Sequence, residues 1–202
     1  MKFEKLWMLV LAGLLPAVAA GCSGEEGIGD DETNPVTCSG DYALTTDDSE
    51  SYVLADWPDA QLLTDLSDIA HCEVIQGSLV LYGYAWDEDN ELQITNLNSL
   101  SNLISVGGDL ELDGLVEVSN LDGLSNLTSV GGELFIAGLG SVTLHTGLSD
   151  ISGLSSLSSV EGRVAIFNNI FLCQDSVDAF IEGCTIGGGV QAFNNCCGAW
   201  PC

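Results

Sequence analysis

Positive charge is nearly missing from this 202-residue chain: three Lys and Arg stand against 30 Asp and Glu, a formal net charge of -27. Nucleic acid and anionic membrane surfaces are thereby excluded as direct contacts, because both are polyanions that such a surface repels. Aromatic residues make up only 7% and prolines number 4, so the core must be aliphatic. No apolar run approaches the roughly 20 residues a membrane-spanning helix needs. The longest, Leu6 to Ala20, has fifteen. What is present is apolar content of 46%, 24 glycines and 8 cysteines. That much apolar surface rules out a wholly disordered chain despite the charge, and the length suits one domain with an appended tail.

Residues 1–22 read as an address. Lys2 and Lys5 precede the apolar stretch, which ends in Ala19-Ala20-Gly21 directly before Cys22. This is a secretory signal with its cleavage site set against a cysteine. It resembles the bacterial lipobox, which implies that residues 1–21 are removed and Cys22 is acylated. The mature chain then keeps 29 acids and one base, Arg163, a net charge of -28. Ser23 is not the inner-membrane-retention aspartate, so the resemblance implies lipid anchoring at the outer membrane of the cell envelope. Residues 22–37, acidic and punctuated by Gly and Pro, are expected to be a disordered tether.

Beyond the tether the chain repeats. LSNLISVGGDLELDGL from Leu100, LSNLTSVGGELFIAGL from Leu124 and LSSLSSVEGRVAIFNN from Leu154 are near copies. A weaker copy starts at Leu66 and a degenerate one, GGGVQAFNN, at Gly187. Such repeats indicate a solenoid whose units stack their apolar faces on one another. Within a unit the apolar residues recur every third position, as in Val118, Leu121, Leu124, Leu127 and Val130. That period fits neither α-helix nor strand and predicts a tight coil with every third side chain inward. At a glycine (Gly77, Gly108, Gly132, Gly162, Gly188) the period switches to two, which predicts a short strand. Stacked units would align these strands in parallel. The glycine is expected either to need a positive φ or to allow close backbone approach.

Alternation assigns the outward positions of that sheet. They are Ser78, Asp109, Glu133 and Arg163 in one column, Val80, Glu111, Phe135 and Ala165 in the next, and Tyr82, Asp113, Ala137 and Phe167 in the third. Arg163 should therefore lie one level, about 4.8 Å, from Glu133 and pair with it. Asp109, Glu111 and Asp113 are expected on one level without basic or aromatic partners.

The segment Cys38 to Cys72, with its helix-like DAQLLTDLSDI and HCEVIQGSLVL, resembles the opening of the receptor L-domain. VAIFNNIFLCQ from Val164 is similar to that family's closing unit. This family is the leucine-rich right-handed β-helix of insulin-type and epidermal-growth-factor-type receptor ectodomains and of bacterial surface proteins. Over residues 38–175 the resemblance implies a mainly β, right-handed β-helix or leucine-rich solenoid of about five rungs. It further implies an N-terminal helix cap pinned by a Cys38–Cys72 disulfide, and a binding rather than catalytic role. Residues 176–202 would form a cysteine-rich C-terminal cap, with a short helix N-capped near Asp175-Ser176 and ending at Gly183.

With Cys22 acylated, seven cysteines remain, and an odd count leaves one unpaired. Cys173 should pair with Cys184, Cys196 or Cys197; Cys196 is preferred, with Cys202 taking Cys184 or Cys197. No C-x-x-C pair exists and His71 and His145 are distant, so no metal or other cofactor is expected. Asp87 to Glu91 resembles part of a calcium loop, but Leu92 stands where an EF-hand needs glycine. No nucleophile-elbow motif occurs, so no catalytic residue is assigned and the chain is read as a non-enzyme. The expected function is an envelope lipoprotein that presents its solenoid to a protein or glycan. Tyr82, Tyr84, Trp86, Phe135 and Phe167 form the candidate surface, since aromatics dominate interface energetics. The alternatives are a structural envelope protein and, behind it, a β-helix enzyme acting on polysaccharide.

Overall fold

The computed structural model describes residues 34–45, 50–83, 94–138, 140–141 and 146–198. The signal segment, Cys22 and most of the tether, Tyr84, Trp86, the Asp87–Glu91 loop, His145 and Cys202 lie outside the described residues. In chain order the elements are β1 (Thr37–Cys38), β2 (Tyr42–Thr45), α1 (Glu50–Asp56), β3 (Gln61–Leu62), β4 (Val74–Ile75), β5 (Leu79–Tyr82), β6 (Ser105–Val106) and β7 (Leu110–Asp113). There follow β8 (Ser129–Val130), β9 (Leu134–Ala137), β10 (Gly140–Ser141), β11 (Thr146–Gly147), β12 (Ser159–Val160), β13 (Val164–Phe167), α2 (Gln174–Gly183), β14 (Thr185–Ile186) and β15 (Val190–Phe193).

Two parallel sheets dominate. A six-stranded sheet of two-residue strands runs β1-β4-β6-β8-β12-β14, here called the narrow sheet. A seven-stranded sheet, the wide sheet, runs β15-β13-β9-β7-β5-β2-β3. A small antiparallel hairpin, β10–β11, stands apart from both. Each repeat contributes one strand to each sheet, as the switch of hydrophobic period predicts. Register follows the repeat without a slip: Leu79, Leu110, Leu134 and Val164 are successive partners. All four are fully buried, because any one-residue slip would turn the aliphatic column outward.

The period-three runs are 3₁₀ turns, at Leu66–Ile69, Asn98–Leu100, Asp122–Leu124 and Ser152–Leu154. A 3₁₀ turn has three residues per revolution, so Leu121, Leu124 and Leu127 all point into the core and are fully buried. Asparagines tie successive turns: Asn102 Nδ2 donates to Ala70 O at 2.9 Å and Asn126 Nδ2 to Ser101 O at 2.7 Å.

The corner glycines serve close approach, not a positive φ. Gly108 N–H donates to Gly77 O, Gly132 to Gly108, Gly162 to Gly132 and Gly188 to Gly162, at 2.8–2.9 Å. A Cβ on Gly108 would stand 2.9 Å from the Gly77 carbonyl carbon. The left-handed corner lies at the other end of the strand, where Gly114, Gly138, Asn168 and Asn194 follow β7, β9, β13 and β15 with φ of 68°, 65°, 59° and 58°. Glycine and asparagine are the residues that tolerate it. The next asparagine of each pair is buried: Asn169 donates to Ile136 O at 3.1 Å and Asn195 to Ile166 O at 3.0 Å.

Three expectations are corrected here. The helix expected over Asp59–Ile69 is not one. Gln61–Leu62 pairs in parallel with Tyr42–Ala43 as the edge of the wide sheet, and Asp65 caps a single 3₁₀ turn after it. The backbone of β2 offers Gln61 and Leu63 the bonds Gln61 N to Asp41 O and Leu63 N to Ala43 O, both 2.8 Å, and this outweighs local helix propensity. The α-helix of this region is α1, earlier in the chain. Its Val53 packs on Ala43 and Val80 with Trp57 beside them, so Val80, an outward position, is buried. Pairing of the first strand starts before the expected Cys38: Val36 O accepts from Glu73 and Val74 N–H at 2.8 and 3.0 Å.

The second and third corrections concern the C-terminus. Cys173 is bonded to Cys197, not Cys196. Cys173 and Cys196 face each other as an antiparallel bridge. Cys197 then takes a left-handed φ of 54°, which returns its side chain to Cys173 at a Cα–Cα distance of 4.3 Å. Cys196 is itself disulfide-bonded and Cys184 is a free thiol among the described residues, so neither Cys184 nor Cys197 makes the expected bond to Cys202. The helix α2 ends at Gly183 as expected, but its N-cap is Cys173 and no side chain caps it. The expected Cys38–Cys72 bond is present.

Candidate functional site

The chemistry of the described residues gathers on the outer face of the wide sheet. The column of residues just ahead of the strands forms a ladder in which each side chain binds the backbone of the next level. Asp41 Oδ1 accepts from Ser78 N–H at 2.6 Å, Ser78 Oγ from Asp109 N–H at 3.1 Å, and Asp109 Oδ1 from Glu133 N–H at 2.6 Å. At Glu133 the pattern changes, because its carboxylate takes Arg163 instead. Arg163 Nε and Nη2 both donate to Glu133 Oε1, at 2.9 and 2.6 Å, which is the ion pair the alternation predicts. It raises the guanidinium pKa further.

In the middle column Glu111 stands between Val80 and Phe135, and in the third Asp113 stands between Tyr82 and Ala137. The expectation that these acids lack aromatic partners is therefore wrong. Alternation had placed Tyr82 and Phe135 on the same face, and each now proves to be the strand neighbour of one carboxylate. The consequence is electrostatic. Burial pushes the Glu111 carboxyl up to about 7, with the negative charges of Asp113, Glu133, Asp109 and Asp56 adding to it. Burial also pushes Asp113 up to about 6, against a hydrogen bond from the Gly114 N–H. Near neutral pH Glu111 can therefore donate as well as accept, whereas Asp113 is mostly ionised and accepts.

Next to the acids lies an aromatic stripe. Phe135 meets Phe167 edge to face at a centroid distance of 5.4 Å and 87°, and Phe167 stacks on Phe193 at 5.0 Å and 6°. Phe135 and Phe167 are half-buried, less open than the sequence suggests, because diagonal neighbours in a parallel sheet shield each other. Phe193, which sequence reasoning missed, is 47% exposed. The signal was available: GGGVQAFNN aligns its phenylalanine with Phe167. Of the five aromatics named from sequence, the structure brings Tyr82, Phe135 and Phe167 onto this face, while Tyr84 and Trp86 lie outside the described residues.

Two other places are chemically poorer. A cleft of about 340 Å³ between the 3₁₀ turn Ser152–Leu154 and α2 is walled by Ile151, Leu157, Phe180 and serines, with Asp150 its one charged lining residue. Cys38, His71 and Cys72 hold ligand atoms within 4.8 Å of one another, but the disulfide between the two cysteines removes the thiolates a metal would need.

No curated protein and no solved structure matches the chain. The family of the receptor L domain matches residues 71–180, so the match begins at His71 and omits the N-terminal segment where α1 and β3 depart from expectation. It spans 110 of 202 residues, including the level that carries Glu111 and Asp113 and the strands of Phe135 and Phe167. Receptor L domains are ligand-binding rather than catalytic units, which suits a face built from aromatic rings and carboxyls over a rigid stack. On this match and the two parallel sheets of its leucine repeats, the chain belongs to the receptor L domain family.

Proposed function

We propose that the chain is a cell-envelope lipoprotein, anchored through acylated Cys22 and a tether reaching to about residue 35, that presents a non-catalytic L domain for binding a protein or glycan. Right-handed coiling over about five rungs is the reading that suits parallel strands joined by crossovers. The observation that carries the binding role is the outer face of the wide sheet. There Tyr82 and Phe135 are the strand neighbours of Asp113 and Glu111, whose carboxyls are pushed up by burial, and Phe167 packs on Phe135. Rings with adjacent desolvated polar groups are the composition of interface hot spots. A partner with cationic or hydrogen-bond-donating groups between apolar ones fits it.

Cross-linking pulldown from intact cells with the full chain tests this. Phe135→Ala and Phe167→Ala should each lower recovery of the partner, and recovery equal to the parent would remove the face from consideration. An intact-mass measurement on protein extracted from the envelope tests the anchor separately. A mass for residues 22–202 plus acyl chains is expected, and an unmodified Cys22 would overturn it.

A further inference from the structure

The wide sheet ends, at its C-terminal side, in a strand made for pairing. β15 is the outermost strand there. Val190 aligns with the buried Val164, yet is itself 45% exposed. On the other face Phe193 stacks one side of its ring on Phe167 and is 47% exposed. Gly189 O and Phe193 O accept from Val164 and Asn168 N–H. By strand alternation, Val190 and Ala192 aim their N–H and C=O groups away from β13, at the open edge. Edge strands usually carry lysine, proline or an inward charge that discourages pairing. Val190-Gln191-Ala192-Phe193 carries none.

Charge says what can approach this edge. From Cys184 to Cys202 the sequence has no Asp, Glu, Lys, Arg or His, in a chain with 30 acids. The cation Arg163 contacts β15: its Nη1 reaches Gln191 Oε1 at 3.4 Å while its other nitrogens neutralise Glu133. Two copies of so acidic a chain repel almost everywhere else. Along β15 itself this repulsion is absent, and the acids at this end are the exposed Asp175, Asp178 and Glu182 of α2, which touches β15. The opposite edge of the wide sheet is no substitute, since β3 has two residues and stands among Asp56, Asp59 and Asp65.

We propose that the edge of β15 pairs with β15 of a second copy, antiparallel and about a two-fold axis. This goes beyond the binding role and does not depend on it. One register makes Val190 and Ala192 of each chain exchange both hydrogen bonds with Ala192 and Val190 of the other. It also keeps core-facing residues together, sets each Phe193 ring over the partner's Gly189, where an added Cβ would meet nothing within 4 Å, and centres Gln191 on the partner's Gln191. Such an isologous contact closes at two copies.

Gln191 is then a non-hydrogen-bonded pair with itself, with Cα atoms about 4.5 Å apart, inside the range a disulfide accepts. The test is mild oxidation of the full chain carrying Gln191→Cys, with Cys184→Ser to remove the free thiol, beside Cys184→Ser alone. A disulfide-linked dimer should form only with Gln191→Cys. In sedimentation velocity the parent chain should show a monomer–dimer equilibrium. Ala192→Pro deletes an N–H that β13 does not use and should weaken it roughly ten- to a hundredfold, for two lost hydrogen bonds per dimer. Val190→Glu should do the same by charge should the proline variant melt abnormally. A monomeric parent, absence of the disulfide-linked dimer in the Gln191→Cys chain, or assemblies growing past two copies by end-to-end stacking on β3 would overturn the proposal. So would association unchanged in both edge variants.

Discussion

On the outside of the narrow sheet each level sets one small side chain, such as Ser105, Ser129 and Ser159, in register with one another. On the outside of the wide sheet each level sets three, and among them are carboxyls raised by burial, an Arg–Glu pair and a stripe of phenylalanines. Both sheets rest on the same aliphatic core, with Val106 and Val130 behind one and Leu112 and Ile136 behind the other, all fully or nearly fully buried. Stability therefore does not require the difference. A two-residue strand with a serine is all the stack needs to close a corner. Four-residue strands with desolvated acids carry like-charge repulsion that the stack does not need.

The comparison can be broken most severely from beneath. Leu112→Ala, under the wide sheet, should destabilise the fold by about 2–5 kcal/mol through lost burial and the cavity left behind. Binding should fall only as the folded fraction falls, and denaturant unfolding alongside a pulldown separates the two. Next is the proton balance of the wide face. The folded pKa values of Glu111 and Asp113, about 7 and about 6, lie above their ordinary 4.5 and 3.8. The folded state therefore holds more protons than the unfolded one across that window. The stability they allow is complete below the ordinary values and is lost as pH rises through the folded ones. Melting temperature should fall between roughly pH 5 and 8, and Glu111→Gln should flatten the slope, by about 1 kcal/mol after solvent screening.

A smaller contrast comes from the corner ladder. Asp109→Ala removes the acceptor of Glu133 N–H and should cost about 1 kcal/mol, whereas Ser129→Ala on the narrow sheet should stay within about 0.5 kcal/mol. Equal costs would mean that the side-chain ladder carries nothing special. Smallest is Arg163→Ala. This pair is open to solvent, with side chains 42% and 28% exposed, and its loss should leave the melting curve unchanged within error at physiological salt.

The register of the wide sheet could be read from the sequence because the two hydrophobic periods are set by backbone geometry repeated level after level. Arg163 and Glu133 could be paired for the same reason. The 3₁₀ turns were visible as a period of three before they could be named. Legibility fails where the repeat fails. Leu62, Leu63, Leu66 and Ile69 fit a helical stripe, but the free edge of β2 bids for the same residues, and no local pattern shows that a neighbouring edge is vacant. The Cys173–Cys197 bond depends on a left-handed φ at a non-glycine residue, which composition does not announce. The candidate face was half legible. Alternation placed Phe135, Phe167 and Tyr82 outward, while the burial that raises Glu111 and Asp113 depends on three-dimensional shielding that no repeat pattern carries.

The claim that the wide face is the working surface is tested most directly by a photo-crosslinking amino acid placed at Phe167 in one chain and at Ser129 in another, each irradiated on intact cells. The account predicts a covalent adduct of defined mass from position 167 and none from 129. Adducts of equal yield from both positions, or from 129 alone, would contradict it.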